Sequence, residues 1–199
     1  MEGQEDPQPT GQGSPATRKA VDLARLIKED CSRLLELYKE RETFPENKTS
    51  EGGPHLVSVA AISSPDVLTT VERVWHHRCA LRRCLELLER QIVWEEEEMG
   101  EGGGEYEEVR QAVKVRLGHL LHSTRVLLEA EDVDQGSDHL SPDHDCTQGT
   151  EEVDSSNTMN MKIWTHHLLQ DLIHWTDSAM KTLHIFHMER TGQQEQQEL

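Results

Sequence analysis

Twelve histidines in a chain of 199 residues raise the question of metal chemistry before any other. "GHLLH" (His119, His122) and "HIFH" (His184, His187) set pairs at i and i+3, a spacing that a helix brings to one face. "DHDC", running from His144 to Cys146, offers mixed ligands. Yet the HExxH arrangement, which puts two imidazoles and a general base on one helix face, is absent, and so is the Glu-x-x-His pairing of di-iron bundles. Paired helical histidines are then ordinary surface or boundary residues, and neither a metal nor a cofactor is expected. Cys31, Cys79, Cys84 and Cys146 contain no CxxC pair, which speaks against structural zinc. Cys79 and Cys84, five apart on a helical pattern, point in different directions, a poor geometry for a disulfide. All four read as free thiols. Gly102 to Gly104 form a turn among carboxylates, which would repel phosphate. A Ser-His-Asp set can be assembled from any chain this rich in all three, so it carries no weight. No catalytic residue is assigned, and an enzyme is not expected.

The elements that hold these residues can be read from apolar spacing. In "MKIWTHHLLQDLIHWT", residues 161 to 176, Trp164 and Trp175 are eleven apart. Eleven steps of about 100° fall within ~20° of a whole number of turns. Both indoles share one helix face, with Leu168 and Leu172 between them, and the stripe continues through 161, 179, 183 and 186. Core packing is the plain role for these four residues. Ala20, Ala24, Ile27, Cys31, Leu34 and Tyr38 mark a first helix over 16–42. Val67, Val71, Val74, Leu81, Leu85, Leu88 and Ile92 mark a second over 66–94, with Ser64 as its cap and Pro65 in its first turn. Tyr106, Val109, Val113, Leu117, Leu120, Thr124 and Leu127 mark a third over 105–130, and the fourth spans 158–190. Residues 1–15, rich in Gly, Pro and Gln, read as a disordered tail, residues 131–157 as a flexible loop, and residues 191–199 as a polar tail. No strand-like alternation and no repeat is found. The fold class is all-α, a single four-helix domain over 16–190.

Connector lengths constrain the topology. Ten residues between the second and third helices span at most about 35 Å, too short to return along a helix of about 40 Å, so that pair is antiparallel. The first and last connectors exceed twenty residues and could reach ~70 Å. Parallel neighbours in a long-chain bundle need such crossovers. The lengths favour up-up-down-down, although long loops also permit up-down-up-down.

The net charge is -18 and the mean hydropathy -0.72. Glu95 to Glu108 holds eight acids and Glu129 to Asp154 ten, with no Lys or Arg in either, so these segments carry the whole imbalance. Such a chain is not expected to bind nucleic acid, which needs clustered cations, nor an anionic membrane. No run approaches the ~18 apolar residues of a membrane span. "MEGQEDPQPTGQGSPATRK" lacks the apolar core of an ordinary signal peptide, leaving cytosol as the default compartment. Asn47-Lys48-Thr49 is a glycosylation triplet that matters only in the secretory pathway.

"KIWTHHLLQDLIHWT" followed by "SAMKTLHIFHMERTG" resembles the fourth helix of the ciliary neurotrophic factor family. Lys162, Trp164, Leu169-Gln170-Asp171-Leu172 and Trp175-Thr176 carry the likeness. It extends to "LARLIKEDCSRLLELY" and, more weakly, to "VERVWHHRCALRRCLELLERQI", covering about half the chain. The resemblance implies a long-chain four-helix cytokine of the interleukin-6 class, with up-up-down-down topology. It also implies partners: an alpha receptor and receptor chains of the glycoprotein-130 and leukaemia inhibitory factor receptor types, with signalling through associated kinases. Relatives that engage the last of these carry Phe-x-x-Lys at the start of the fourth helix. Here the residues are Met159-Asn160-Met161-Lys162, so the implied receptor-binding pair is Met159 and Lys162. Methionine fills an aromatic pocket in part but lacks a rigid planar face. The resemblance further implies extracellular action after non-classical release, with a cytoplasmic pool. Composition alone leaves a rival, a cytosolic helical adaptor without enzymatic activity, and on that reading Lys162 is a solvated helix-start lysine.

Overall fold

In the computed structural model, residues 15–43, 55–59, 68–100, 102–135 and 156–197 are described, and they form four helices. Helix α1 is Pro15–Glu42. Its inward stripe is the one the spacing marked, with Ala20, Ala24, Ile27, Cys31, Leu34 and Tyr38 all buried. Pro15 at the first helical position gives up no hydrogen bond, because that amide has no intrahelical partner. Thr43 ends the helix at φ 47, returning its N–H to the Lys39 carbonyl at 3.2 Å.

Helix α2 is Thr70–Met99, later at both ends than the expected 66–94. Thr69 has an extended backbone and forms a capping box with Glu72. The Glu72 N–H donates to the Thr69 hydroxyl at 3.2 Å, and the Thr69 N–H donates to the Glu72 carboxylate at 2.7 Å. Two otherwise orphaned donors are thereby satisfied, which fixes the start here rather than behind Ser64. Ser64 and Pro65 lie outside the described residues. The far end extends through the acidic run, because Glu95 turns inward with only 4% of its side chain exposed. Gly100, at φ 77, stops the helix, its N–H returning to the Glu96 carbonyl at 3.0 Å.

Helix α3 is Glu105–Gln135, five residues longer than expected, so the segment expected to be loop from 131 begins as helix. Residues 136–155, the rest of it up to Ser156, lie outside the described residues, as do residues 1–14 of the expected N-terminal tail. Glu105, Glu107 and Glu108 fill the first turn of α3, where negative charge offsets the positive end of the helix dipole. Helix α4 is Thr158–Gln197. Asn157 caps it, its side-chain oxygen accepting the N–H groups of Met159 at 3.1 Å and Asn160 at 3.2 Å. The expected tail from 191 begins as helix: "TGQQEQQ" continues α4 through Gln197, its Gln and Glu residues favouring helix enough to carry it past Gly192.

Cross-helix contacts fix the topology. Thr17 meets His187, Lys28 meets Asp177, and Tyr38 meets Lys162, so α1 and α4 are antiparallel. Thr70–Glu189 and His77–Thr182 make α2 antiparallel to α4. Asp30–Arg116 and Tyr38–Tyr106 do the same for α1 and α3, and Glu89–Lys114 and Glu95–Arg110 for α2 and α3. Helices α1 and α2 therefore run one way and α3 and α4 the other. Each of α1 and α2 packs on both α3 and α4. This is an all-α, up-up-down-down four-helix bundle.

Met161, Trp164, Leu168, Leu172, Ala179, Leu183 and Phe186 are buried along α4, as the stripe requires. Trp175 departs from it: the ring is only partly buried, packed against the core's edge. Thr165, Leu169 and Thr176 add a second buried line, because two helices rather than one cover α4. Cys31 and Cys84 are free and buried, whereas Cys79 is disulfide-bonded. This corrects the expectation of free thiols at Cys79: its spacing from Cys84 excluded only their mutual pairing. Cys146 lies outside the described residues. No described helix is long and apolar enough to cross a membrane.

Burial ranks the two tryptophans. Trp164→Ala should lower the unfolding free energy by about 3–5 kcal/mol, and Trp175→Ala, with less surface to re-expose, by about 1–3 kcal/mol. Denaturant unfolding of each variant measures this. Equal losses contradict the ranking by burial, and losses below ~0.5 kcal/mol at both contradict the stripe.

Candidate functional site

Asn157 sets the register at which α4 begins, and that register decides what the first turn presents. Met161 turns inward and is buried, whereas Met159, two residues earlier, is 44% exposed. Lys162 lies on the next turn beside the C-terminal end of α1. It is not a freely solvated lysine. Its ammonium lies 2.5 Å from a Glu42 carboxylate oxygen, with side-chain exposures of 33% for Lys162 and 6% for Glu42. Its backbone carbonyl accepts the Tyr38 hydroxyl at 3.1 Å.

Glu42 belongs to a larger polar array where the ends of all four helices meet. Arg41 reaches Glu42 at 2.8 Å through Nε and Glu95 at 2.5 Å through a terminal nitrogen. Arg110 holds the other Glu95 oxygen. The Arg41 guanidinium also stacks 4.1 Å from the Tyr106 ring centroid and 5.2 Å from that of Tyr38, a favourable place for a planar cation. Burial works against the charge on Arg41, but the hydrogen bond and charge of Glu95 outweigh it and hold the guanidinium's pKa above its ordinary value. Burial, reinforced by Glu42, raises the Tyr38 pKa. Burial, reinforced by Glu95, raises that of Tyr106. Both phenols therefore stay neutral: the Tyr38 hydroxyl donates to the Lys162 carbonyl, the Tyr106 hydroxyl accepts from Gln91, and both rings offer a face to Arg41. Two cavities flank the corner. One of about 540 Å³ opens between α2 and α4, with Trp94, Met161 and Trp164 in its wall and Glu86, Glu89 and Glu97 on its rim. The other, of about 470 Å³, lies over Arg41, Glu95 and Arg110. Nothing in the array resembles a nucleophile with its base; it can present charge and shape to a partner.

The sequence pointed to Met159 and Lys162, and the structure brings them together on the first two turns of α4. It pointed to neither Glu42 nor Glu95. A signal for Glu95 was present: Cys84, Leu88, Gln91 and Glu95 continue the inward stripe of α2 at steps of four and three. The acidic run around it suggested a linker instead.

The histidine pairs singled out by spacing lie apart from the polar array. His119 and His122 are exposed, as is His184, and His187 is engaged by the Thr17 hydroxyl at 2.7 Å. His144 lies outside the described residues. Among the described residues, no group of three or more His, Cys, Asp or Glu side chains could hold a metal. Histidines from three separate segments gather elsewhere, around Trp175. The ring centroids of His174, His76 and His77 lie 5.1, 5.8 and 6.0 Å from that of Trp175, and His55 lies 4.8 Å from His174. Asp171, buried, anchors this group. Its carboxylate accepts the Leu56 and Val57 N–H groups at 2.7 and 2.9 Å and contacts His55 Nδ1 at 2.6 Å. It thereby pins the 55–59 segment of the first long connection onto α4.

Comparison with known families gives one finding. The family model described as ciliary neurotrophic factor matches residues 4–198, nearly the whole chain. A comparison with curated proteins gives no match.

His77 makes the histidine group sensitive to acid. Its Nε2 meets the Thr182 hydroxyl at 2.9 Å, and its Nδ1 has no hydrogen-bond partner among the described residues. Burial, followed by the charges of His76 and His174, lowers its pKa from 6.5 to about 4. The folded protein thus binds this proton less readily than the unfolded chain, so stability present above pH ~6.5 is lost as pH falls towards ~4. Urea midpoints across that range should fall with pH in the parent protein and fall less steeply in His77→Gln, which keeps a polar group for Thr182 without titrating. An identical slope in the two proteins contradicts this role for His77.

Proposed function

The chain belongs to the ciliary neurotrophic factor family, a family of four-helix cytokines, and on that premise we propose that it is a neurotrophic ligand for cell-surface receptors. On this reading it binds an alpha receptor and assembles chains of the glycoprotein-130 and leukaemia inhibitory factor receptor types, whose associated kinases then signal. The protein itself contributes surfaces and no catalytic group. Action outside the cell goes with non-classical release and a cytoplasmic pool, as the family resemblance implies.

The observation that carries the reading is the pairing of exposed Met159 with Lys162 at the start of α4. An apolar side chain beside a cation, on a rigid helix, has the character of a binding hot spot. Helix α4 supports it with a buried face of Met161, Trp164 and Leu168, so the pair stands on a helix anchored in the core. Lys162 differs from the solvated lysine that composition suggests, because Glu42 already occupies part of its hydrogen-bonding capacity.

Purified protein added to cells bearing candidate receptor chains should trigger receptor phosphorylation. Lys162→Ala should weaken one receptor contact by about 1–3 kcal/mol. Met159→Phe should strengthen binding to the leukaemia inhibitory factor receptor type, since an aromatic ring adds contact area with fewer rotors to freeze. Folded protein that triggers no phosphorylation at saturating dose points instead to the cytosolic adaptor. Weaker binding by a well-folded Met159→Phe variant reopens the receptor assignment.

A further inference from the structure

Three cations and two carboxylates make up the array at the end of the bundle: Arg41, Arg110 and Lys162 against Glu42 and Glu95. Glu96 and Glu107 also line the cavity over Arg41 and Arg110, so the two arginines stand among further carboxylates. The side chains are not equally open to a partner. Exposure is 4% for Glu95, 6% for Glu42, 8% for Arg110, 27% for Arg41 and 33% for Lys162. The cation most open to a partner is Lys162, whose ammonium has three donors and commits one direction to Glu42.

A lysine on a free four-carbon stem samples many rotamers, and fixing it on binding costs entropy. Here α1 restrains the side chain beforehand through Glu42 and steadies the backbone that carries it through Tyr38. Glu42 holds the ammonium at 2.5 Å, and Tyr38 holds the backbone carbonyl of the same residue at 3.1 Å. Glu42 is itself fixed, because Arg41 binds its other oxygen at 2.8 Å while clamped by Glu95 and the two tyrosine rings. We propose that Glu42 is a positioning residue for the Lys162 contact: it sets the ammonium, with its remaining donors outward, to receive an acidic side chain of the receptor. The inference rests on the reading of Met159 and Lys162 as a receptor contact. It assigns that contact's partner group a chemistry, a carboxylate, and its geometry a source outside α4.

A double-mutant cycle tests it, with affinity for the soluble receptor ectodomain bound by the parent protein as the readout. Glu42→Gln keeps the side chain's shape and removes its charge. It should weaken binding about 3- to 10-fold in the parent and have no further effect in the Lys162→Ala background. Glu42→Asp, which keeps a charge for Arg41 but withdraws the carboxylate by one methylene, should fall between the two. It carries the cycle if Glu42→Gln does not fold, as judged by helical circular dichroism. A purely structural role predicts the same loss with and without Lys162, and that additive result overturns the proposal. Tighter binding by Glu42→Gln also overturns it, since Glu42 would then be masking the charge. If Lys162→Ala alone binds like the parent, the receptor contact itself is misplaced and this proposal falls with it. If Lys162→Ala weakens binding while the Glu42 variants do not, only the positioning role fails.

Discussion

Helix α4 is covered from two sides, by α1 and by α2, and the arrangement of the other helices follows from that burial. Its buried surface is wide, with a second line through Thr165, Leu169 and Thr176 beside the apolar stripe, and two helices cover it. Both neighbours run antiparallel to it, which makes α1 and α2 parallel to each other. A parallel pair in sequence order needs a connection that returns the length of the bundle, and the chain supplies a long one on each side of the α2–α3 turn. Threonines at buried positions fit the close approach. The hydroxyls of Thr124 and Thr176 bond back to carbonyls of their own helices at 2.9 and 2.6 Å, so they bury little unsatisfied polarity. Asp171 performs a related task at the edge of this packing, tying the long first connection to the covered helix through two backbone amides.

The same arrangement places the ends of four helices at one corner, and the corner is polar rather than apolar. Burying Glu95 between Arg41 and Arg110 is a poor way to gain stability, because desolvation offsets much of the attraction between buried charges. Its effect is geometric. The fork of each guanidinium admits few arrangements, so the last turn of α1, the last two turns of α2 and the first two turns of α3 are held in one relation. Lys162 joins that array through Glu42. The surface that the family resemblance marks for recognition is thus tied to a rigid set of charges rather than to the loops beside it.

Apolar spacing made the helices legible. The stripes of α1 and α4 follow directly from steps of three and four, and the connector lengths were enough to favour the observed topology. Helix ends were less legible, for identifiable reasons. The α2 start depends on a reciprocal bond between Thr69 and Glu72, whereas the cap signal taken from the sequence was Ser64 with Pro65. The ends of α2, α3 and α4 run through Glu- and Gln-rich segments whose polarity suggests linker or tail, although those residues favour helix. Trp175 shows a different limit: spacing assigns a face but not how far a neighbouring helix overlaps it. At the corner, the family's motif pointed to Met159 and Lys162. Glu42 was not, because the pairing of α1's last residue with α4's second turn exists only after the bundle closes. The histidines around Trp175 were hidden for the same reason, as they come from the first connection, α2 and α4.

The central claim, that the start of α4 is a receptor contact held in place from α1, is tested most directly by amide hydrogen exchange with and without the receptor ectodomain. Amides in the first turn of a helix lack intrahelical acceptors, and those of Met159 and Asn160 are held by the Asn157 side chain, so they report readily on coverage by a partner. The account predicts that receptor binding slows exchange over 157–162, together with the last turn of α1 around Arg41 and Glu42. Slowed exchange confined to other surfaces, with 157–162 unchanged at saturating receptor, would contradict it.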